Sequence, residues 1–330
     1  MRGFGQGRLR RAEFAAIVTV VVFVGAMALA GMLVGFDDVA ARLAAISMPV
    51  LAGLLGLSLA NYGLRLVRWH LFSRRVGVAV PLARSALVFF AGFAMTTTPG
   101  KVGEALRLWL IERLHGYRYA RTVPIMVGDK IGDSAAVLIL CLFGVGAFGG
   151  YAVATMIAGA AVLLLSLLLA NPRAPIGLID AAYDRIGRWP RLFAGLRHMA
   201  RQTARLFDPP LLALALAVGV LGWFAECLAL FWLVETLGGS ITLRAAVFVF
   251  AFSMMVGAVS MLPGGLGGTE VTMFALLTAA GVAPDIALAA TAVIRATTLW
   301  FAVALGGLTL PFALRAARAA TLPGAAGIRA

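Results

Sequence analysis

The sequence predicts an all-α integral membrane protein: about six full transmembrane helices plus two re-entrant or broken helical hairpins, arranged as an inverted repeat. Three observations carry that prediction. Hydrophobic residues make up 62% of the 330-residue chain and charged residues only 13%, where ordinary usage is about a quarter charged. The arginines are confined to segments between long apolar runs. Two apolar stretches are interrupted by Pro/Gly breaks that each end in a carboxylate, Thr96 to Glu104 and Leu262 to Glu270. Hydrocarbon offers no water to an exposed amide, so irregular backbone at membrane depth survives only inside protein or along a wet cavity.

Taken in order, Arg2, Arg8, Arg10 and Arg11 precede an uncharged run from Phe14 to Phe36. That run supplies the ~20 residues of a crossing and exceeds the apolar core of a secretory signal. Asp37, Asp38 and a single Arg42 follow, so the positive-inside rule puts the N-terminus in the cytoplasm. A second span, about Leu43 to Leu64, ends at Arg65, Arg68, Trp69, Arg74 and Arg75. These read as a cytoplasmic cluster with an interfacial tryptophan. Ser85 to Pro99 is apolar but short of a crossing, and basic segments flank the first break on both sides. The segment at about 85–113 therefore reads as a hairpin that enters and leaves from the cytoplasm.

A third span covers about Thr122 to Ala147, and a fourth follows after Gly149-Gly150, to about Ala170. Residues 171–209 interleave arginines with Tyr183, Ile186, Trp189, Leu192 and Phe193, the pattern of broken amphipathic helices on an anionic leaflet or of a solvated basic loop. A fifth span, about Leu211 to Leu237, carries Glu226, which reads as a buried acid bonded to a neighbouring helix. The second hairpin, about 244–281, surrounds the second break, and a last span from about Ile286 to Leu314 contains Arg295. Its flanking Arg315 and Arg318 place the C-terminus in the cytoplasm as well. The chain thus divides into an N-terminal half (1–170), the basic segment (171–209) and a C-terminal half (210–320) of one membrane domain.

The halves read alike. Each runs break, acid, short helix, glycine turn, then a helix with an embedded cation; Gly116 to Lys130 and Gly281 to Arg295 are both separated by 14 residues (130 − 116 and 295 − 281). Inverted repeats with broken helices near the midplane are the architecture of alternating-access transporters. A lone charge there costs at least ~2.5–3.5 kcal/mol, so Glu104 is expected to pair with Lys130 and Glu270 with Arg295. Such pairs either lock helices together or meet a lipid headgroup. Asp129 and Asp133, at i and i+4, fit a polar stripe along a pathway. The candidate lipid-binding residues are Pro99, Gly100, Gly103, Glu104, Arg107, Asp129, Lys130 and Asp133 in the first half. In the second they are Pro263, Gly264, Gly265, Gly267, Gly268, Glu270 and Arg295.

Thr98-Pro99-Gly100-Lys101-Val102-Gly103-Glu104 with Arg107, Asp129-Lys130 with Asp133, and Leu262-Pro263-Gly264-Gly265-Leu266-Gly267-Gly268-Thr269-Glu270 with Arg295 resemble a known family. It is the flippase-like membrane region found at the N-terminus of bacterial lysylphosphatidylglycerol synthases, and the resemblance covers about Arg10 to Arg318. A hopanoid-associated membrane protein branch has the same look. The resemblance implies translocation of a polar lipid: a phospholipid, an aminoacyl-phospholipid or a polyisoprenoid or hopanoid lipid. It also implies a bacterial inner-membrane location and leaves a homo-oligomer open. The chain ends soon after the last span, so the family's aminoacyl-transferase domain is not expected.

Other classes fit less well. A formal charge of +14 raises nucleic acid, but arginines between spans point to topology and lipid headgroups. There is no phosphate-binding loop, Gly-x-Ser-x-Gly elbow or His-Glu-x-x-His. His70, His115 and His198 are too scattered for a metal site, and Cys141 and Cys227 read as small core residues. No catalytic residue, metal or cofactor is expected. The alternatives to transport are a membrane-embedded lipid transferase using Asp129 and Asp133 on a metal, and a scaffold for a lipid-biosynthesis enzyme.

Overall fold

Residues 35–98 and 102–320, with Gly25, Met32 and Val34, are described in a computed structural model of the chain. It is 86% helical, with no strand among the described residues. The helices are α1 (Phe36–Ala44), α2 (Met48–Arg75), α3 (Leu82–Ala91), α4 (Val102–His115), α5 (Tyr119–Gly144), α6 (Ala152–Ala170) and α7 (Arg173–Ile186). There follow α8 (Pro190–Ala204), α9 (Pro209–Thr236), α10 (Leu243–Val259), α11 (Gly268–Ala279), α12 (Pro284–Arg295) and α13 (Phe301–Ala319). Prolines sit in the first turns of α2, α8, α9 and α12, where a missing N–H costs nothing and φ is already helical.

Five described helices are long and apolar enough to cross a membrane: Met48–Arg75, Tyr119–Ala147, Ala152–Ala170, Pro209–Thr236 and Pro284–Ala319. They match the second to sixth expected spans. The first, Phe14 to Phe36, lies almost wholly outside the described residues. Leu82–Met95 and Leu243–Val259 are shorter apolar helices, and each leads into one of the two breaks.

One expectation is corrected. The second span does not end at Leu64; α2 runs on to Arg75 and carries Arg68 and Trp69 inward, at 0% and 1% exposure. Neither belongs to an aqueous flank. The reason is that Arg68 finds carboxylates on α5, and a paired guanidinium no longer requires water.

The two halves pack reciprocally. The last helix, α13, which follows the second hairpin, lies against α3, the Gly92–Met95 turn and α4 of the first hairpin. The helix that follows the first hairpin, α5, lies against α10 of the second. Two apolar clusters result: one gathers Trp69, Phe72, Phe89, Phe93 and Leu110 around the first hairpin, the other gathers Phe248, Phe250, Leu230, Met273 and Ile294 around the second. In contrast, α6 buries little of its surface and exposes Ile157, Leu163, Leu164 and Leu167, as a lipid-facing helix does. The arginine-rich segment folds as α7 and α8, joined at Gly187 and Trp189, with Leu178, Trp189 and Leu192 exposed.

Candidate functional site

The second break is held by its own side chains. Pro263–Gly265 forms a single tight turn, and Gly264, Gly265 and Gly267 have φ of 63°, 68° and 84°. A side chain there would be strained by ~1–2 kcal/mol at each position, which is why the run is glycine. Glu270 sits three residues into α11 and reaches back, its Oε2 accepting from the Gly267 amide at 2.6 Å, the return half of a capping box. Its Oε1 accepts from Arg295 Nε at 2.6 Å, and Arg295 Nη2 donates to the Gly264 carbonyl at 2.8 Å. One ion pair therefore closes turn, α11 and α12 on one another. Directly after Arg295 the helix widens into a π turn, Ala296–Trp300, a feature often found at functional positions. The Tyr62 hydroxyl of α2 donates to the Thr298 carbonyl there.

At the first break, α3 tightens into the Gly92–Met95 turn before Thr96, Thr97 and Thr98. Pro99, Gly100 and Lys101 lie outside the described residues. A Cβ on Gly103 would run into the Gly92 carbonyl oxygen, and a Cβ on Gly92 would run into the Arg107 side chain; both glycines are needed for α4 to lie on the turn. Arg107 donates from Nε to the Phe89 carbonyl at 3.0 Å. Each break thus has a carbonyl covered by a buried arginine, Phe89 by Arg107 and Gly264 by Arg295. Glu104 on α4 pairs with Lys130 on α5, Oε1 to Nζ 2.6 Å.

The expected ion pairs both form, yet they differ in surroundings. Side-chain exposure is 2% for Arg295 and 4% for Glu270, but 42% for Lys130 and 18% for Glu104. One pair is sealed into the fold and the other opens to the surface.

The two breaks meet. A Cβ on Gly264 would stand 3.3 Å from the methyl of Thr97 and 3.3 Å from Leu299. Thr97 is fully buried, and its hydroxyl has no partner among the described residues. Gly306 of α13 abuts the backbone of Phe93 and Ala94, where any Cβ would overlap. Tyr62 completes the junction, its ring 5.2 Å from Phe93 and 6.0 Å from Phe301.

Asp129 and Asp133 do not line an open path. Arg68 Nη2 donates to Asp129 Oδ1 at 2.7 Å and also to Asp133 Oδ1. Arg65 Nη2 reaches Asp133 Oδ2 at 2.8 Å, and Trp223 Nε1 donates to Asp133 Oδ1 at 3.1 Å. The expected stripe is a buried clamp joining α2, α5 and α9. Sequence reading missed Arg65, Arg68 and Trp223; the signal was arginines at i and i+3 on an extension of an apolar helix, with acids at i and i+4 elsewhere. Glu226 is bonded to the neighbouring helix as expected, through Ser58 Oγ at 3.0 Å and Asn61 Nδ2 at 2.9 Å.

Four embedded cations, Arg65, Arg68, Lys130 and Arg295, thus have carboxylate partners. Arg107 has none at ion-pair distance among the described residues. Its guanidinium carbon lies 4.2 Å from the ring centroid of Phe89, 5.1 Å from Phe93 and 5.4 Å from Trp69. Each such contact returns about 0.5–2 kcal/mol, but none of them supplies the directed, charge-assisted hydrogen bonds that a carboxylate would.

Comparison with known proteins is decisive at the level of family. Residues 16–306 match the lysylphosphatidylglycerol synthase TM region. The chain belongs to that family. A UPF0104 membrane protein of Methanothermobacter thermautotrophicus is 21% identical over 322 residues, covering 89% of this chain and 94% of the relative. Another, from Pyrococcus horikoshii, is 26% identical over 269 residues, covering 73% and 80%. Membership of the lysylphosphatidylglycerol synthase TM region family and the long apolar helices together make this a multi-pass membrane protein.

Proposed function

We propose that the protein moves the polar headgroup of a membrane lipid between leaflets, along the junction of its two broken hairpins. The observation that carries this reading is the contact of Thr97 with Gly264, which brings two irregular, polar segments together inside an otherwise apolar helical body. Irregular backbone at such depth is tolerated along a wet path. The reciprocal packing of hairpins and following helices supports an inverted repeat, the device by which alternating access is built. The family name ties relatives to synthesis of a lysylated phospholipid, which favours a phospholipid or aminoacyl-phospholipid over a polyisoprenoid or hopanoid. The proposal includes a bacterial inner-membrane location, cytoplasmic termini, and anionic headgroups under α7 and α8.

The Glu104–Lys130 pair is the better place to test the reading. Removing either partner of the sealed Glu270–Arg295 pair would strand a buried charge at about 3–5 kcal/mol and confuse folding with transport. A half-exposed pair contributes only ~0–1 kcal/mol. In vesicles reconstituted with the purified chain, leaflet exchange of a fluorescent phospholipid should fall about tenfold in Glu104→Gln or Lys130→Gln with little change in melting temperature. The exchanged pair, Glu104→Lys with Lys130→Glu, should recover part of the rate. Wild-type exchange no faster than in empty vesicles would sink the proposal. Covalent lipid product on incubation with candidate donors would favour a transferase, and neither activity would leave a scaffold.

A further inference from the structure

Arg107 stands out from the other embedded cations of the described residues, Arg65, Arg68, Lys130 and Arg295. It is 5% exposed, its Nε is taken by the Phe89 carbonyl, and no acceptor among the described residues meets its two Nη groups. Three aromatic rings, Phe89, Phe93 and Trp69, surround the planar face. Gly92 is bare because a Cβ would occupy the space of this side chain. A guanidinium that served only to join helices would be expected to meet a carboxylate, as Arg65, Arg68 and Arg295 do. Here the rings fix the plane and, among the described residues, nothing fills the forked edge, which matches two oxygens of a phosphate.

We propose that Arg107 is the anion-binding residue of the translocation site, and that the group it receives is the phosphate of a lipid headgroup. This rests on the transport reading and narrows its substrate to a phosphate-bearing lipid. The neighbourhood supplies an approach. Glu104 lies one turn earlier on the same face of α4, and its pair with Lys130 is the open one. Arg107 makes no carboxylate contact at ion-pair distance among the described residues, so an entering phosphate would gain charge-assisted hydrogen bonds to its fork.

The test is binding, read as a shift in melting temperature of the full chain in neutral detergent. Short-chain phosphatidate, the diacylglycerol with the same chains, and inorganic phosphate are titrated separately. Wild type should be stabilised saturably by phosphatidate, and at least about tenfold more weakly by the other two. Arg107→Gln should weaken phosphatidate binding about tenfold or more, while Arg315→Gln, at the far end of α13, should leave it unchanged. Equal binding of diacylglycerol, or an Arg107→Gln protein that binds phosphatidate like wild type, overturns the proposal. Inorganic phosphate binding as tightly as phosphatidate overturns the lipid source. If Arg107→Gln does not fold, Arg107→Lys decides: it keeps the charge and loses the fork, so about threefold weaker phosphatidate binding supports the assignment and unchanged binding overturns it. Transport without phosphate-dependent binding would remove this inference and leave the proposed function standing. Arg107-dependent binding without leaflet exchange would do the reverse.

Discussion

Arg68 shows what one residue decides in an apolar interior. It satisfies Asp129 and Asp133 across 61 and 65 residues of sequence, and all three are buried. Removing a single member leaves uncompensated charge, so Arg68→Ala should destabilise by about 3–5 kcal/mol. Substituting Arg68 and Asp129 together by leucine should cost well under the sum of the single changes, since neighbours in one network are not additive. Thermal unfolding in detergent measures both. The two aspartates were legible as an i, i+4 pair; their partner was not. An arginine at the end of an apolar run has the same local sequence whether it faces headgroups or a carboxylate on another helix.

Among the elements, the hairpins are where sequence and structure agree in most detail. Pro263 to Glu270 announced a broken helix ending in an acid, and the glycines at positive φ are the backbone reason for that spelling. Gly116 and Gly281, expected as turns, also have positive φ, 74° and 90°. What the spelling left open was which groups would close the turn, because the Arg295 contact to the Gly264 carbonyl spans 31 residues. Gly264→Ala should therefore lower stability by ~1–2 kcal/mol through backbone strain and push against Thr97 and Leu299. A melting-temperature drop with lipid exchange reduced beyond it would tie the junction to function; an unchanged melting temperature would show that the turn relaxes. Gly103 illustrates the complementary case. Its φ is ordinary, and only the approach of the Gly92 carbonyl shows why no side chain fits.

For the whole molecule, the proposed topology predicts opposite faces for two exposed sites. Cysteine introduced at Arg188, between α7 and α8, should be modified by an impermeant maleimide only from the cytoplasmic side, and at Ser240, after α9, only from the other. Native Cys141 and Cys227 are free and buried, so labelling reports the introduced thiols; the same side for both would refute the orientation. By itself, the sequence determined the class, the third to sixth spans to within about five residues, the two breaks and the acid–base pairs flanking them. It could do so because the cost of charge and of unpaired backbone in hydrocarbon is paid locally and leaves a local pattern. Only the tertiary structure decided that the breaks touch through Thr97 and Gly264, that one ion pair is sealed while the other is open, that α2 turns its arginines inward, and that Arg107 has no carboxylate at ion-pair distance among the described residues. Those outcomes depend on which helices lie side by side, and hydropathy specifies that a face is buried without naming the neighbour that buries it.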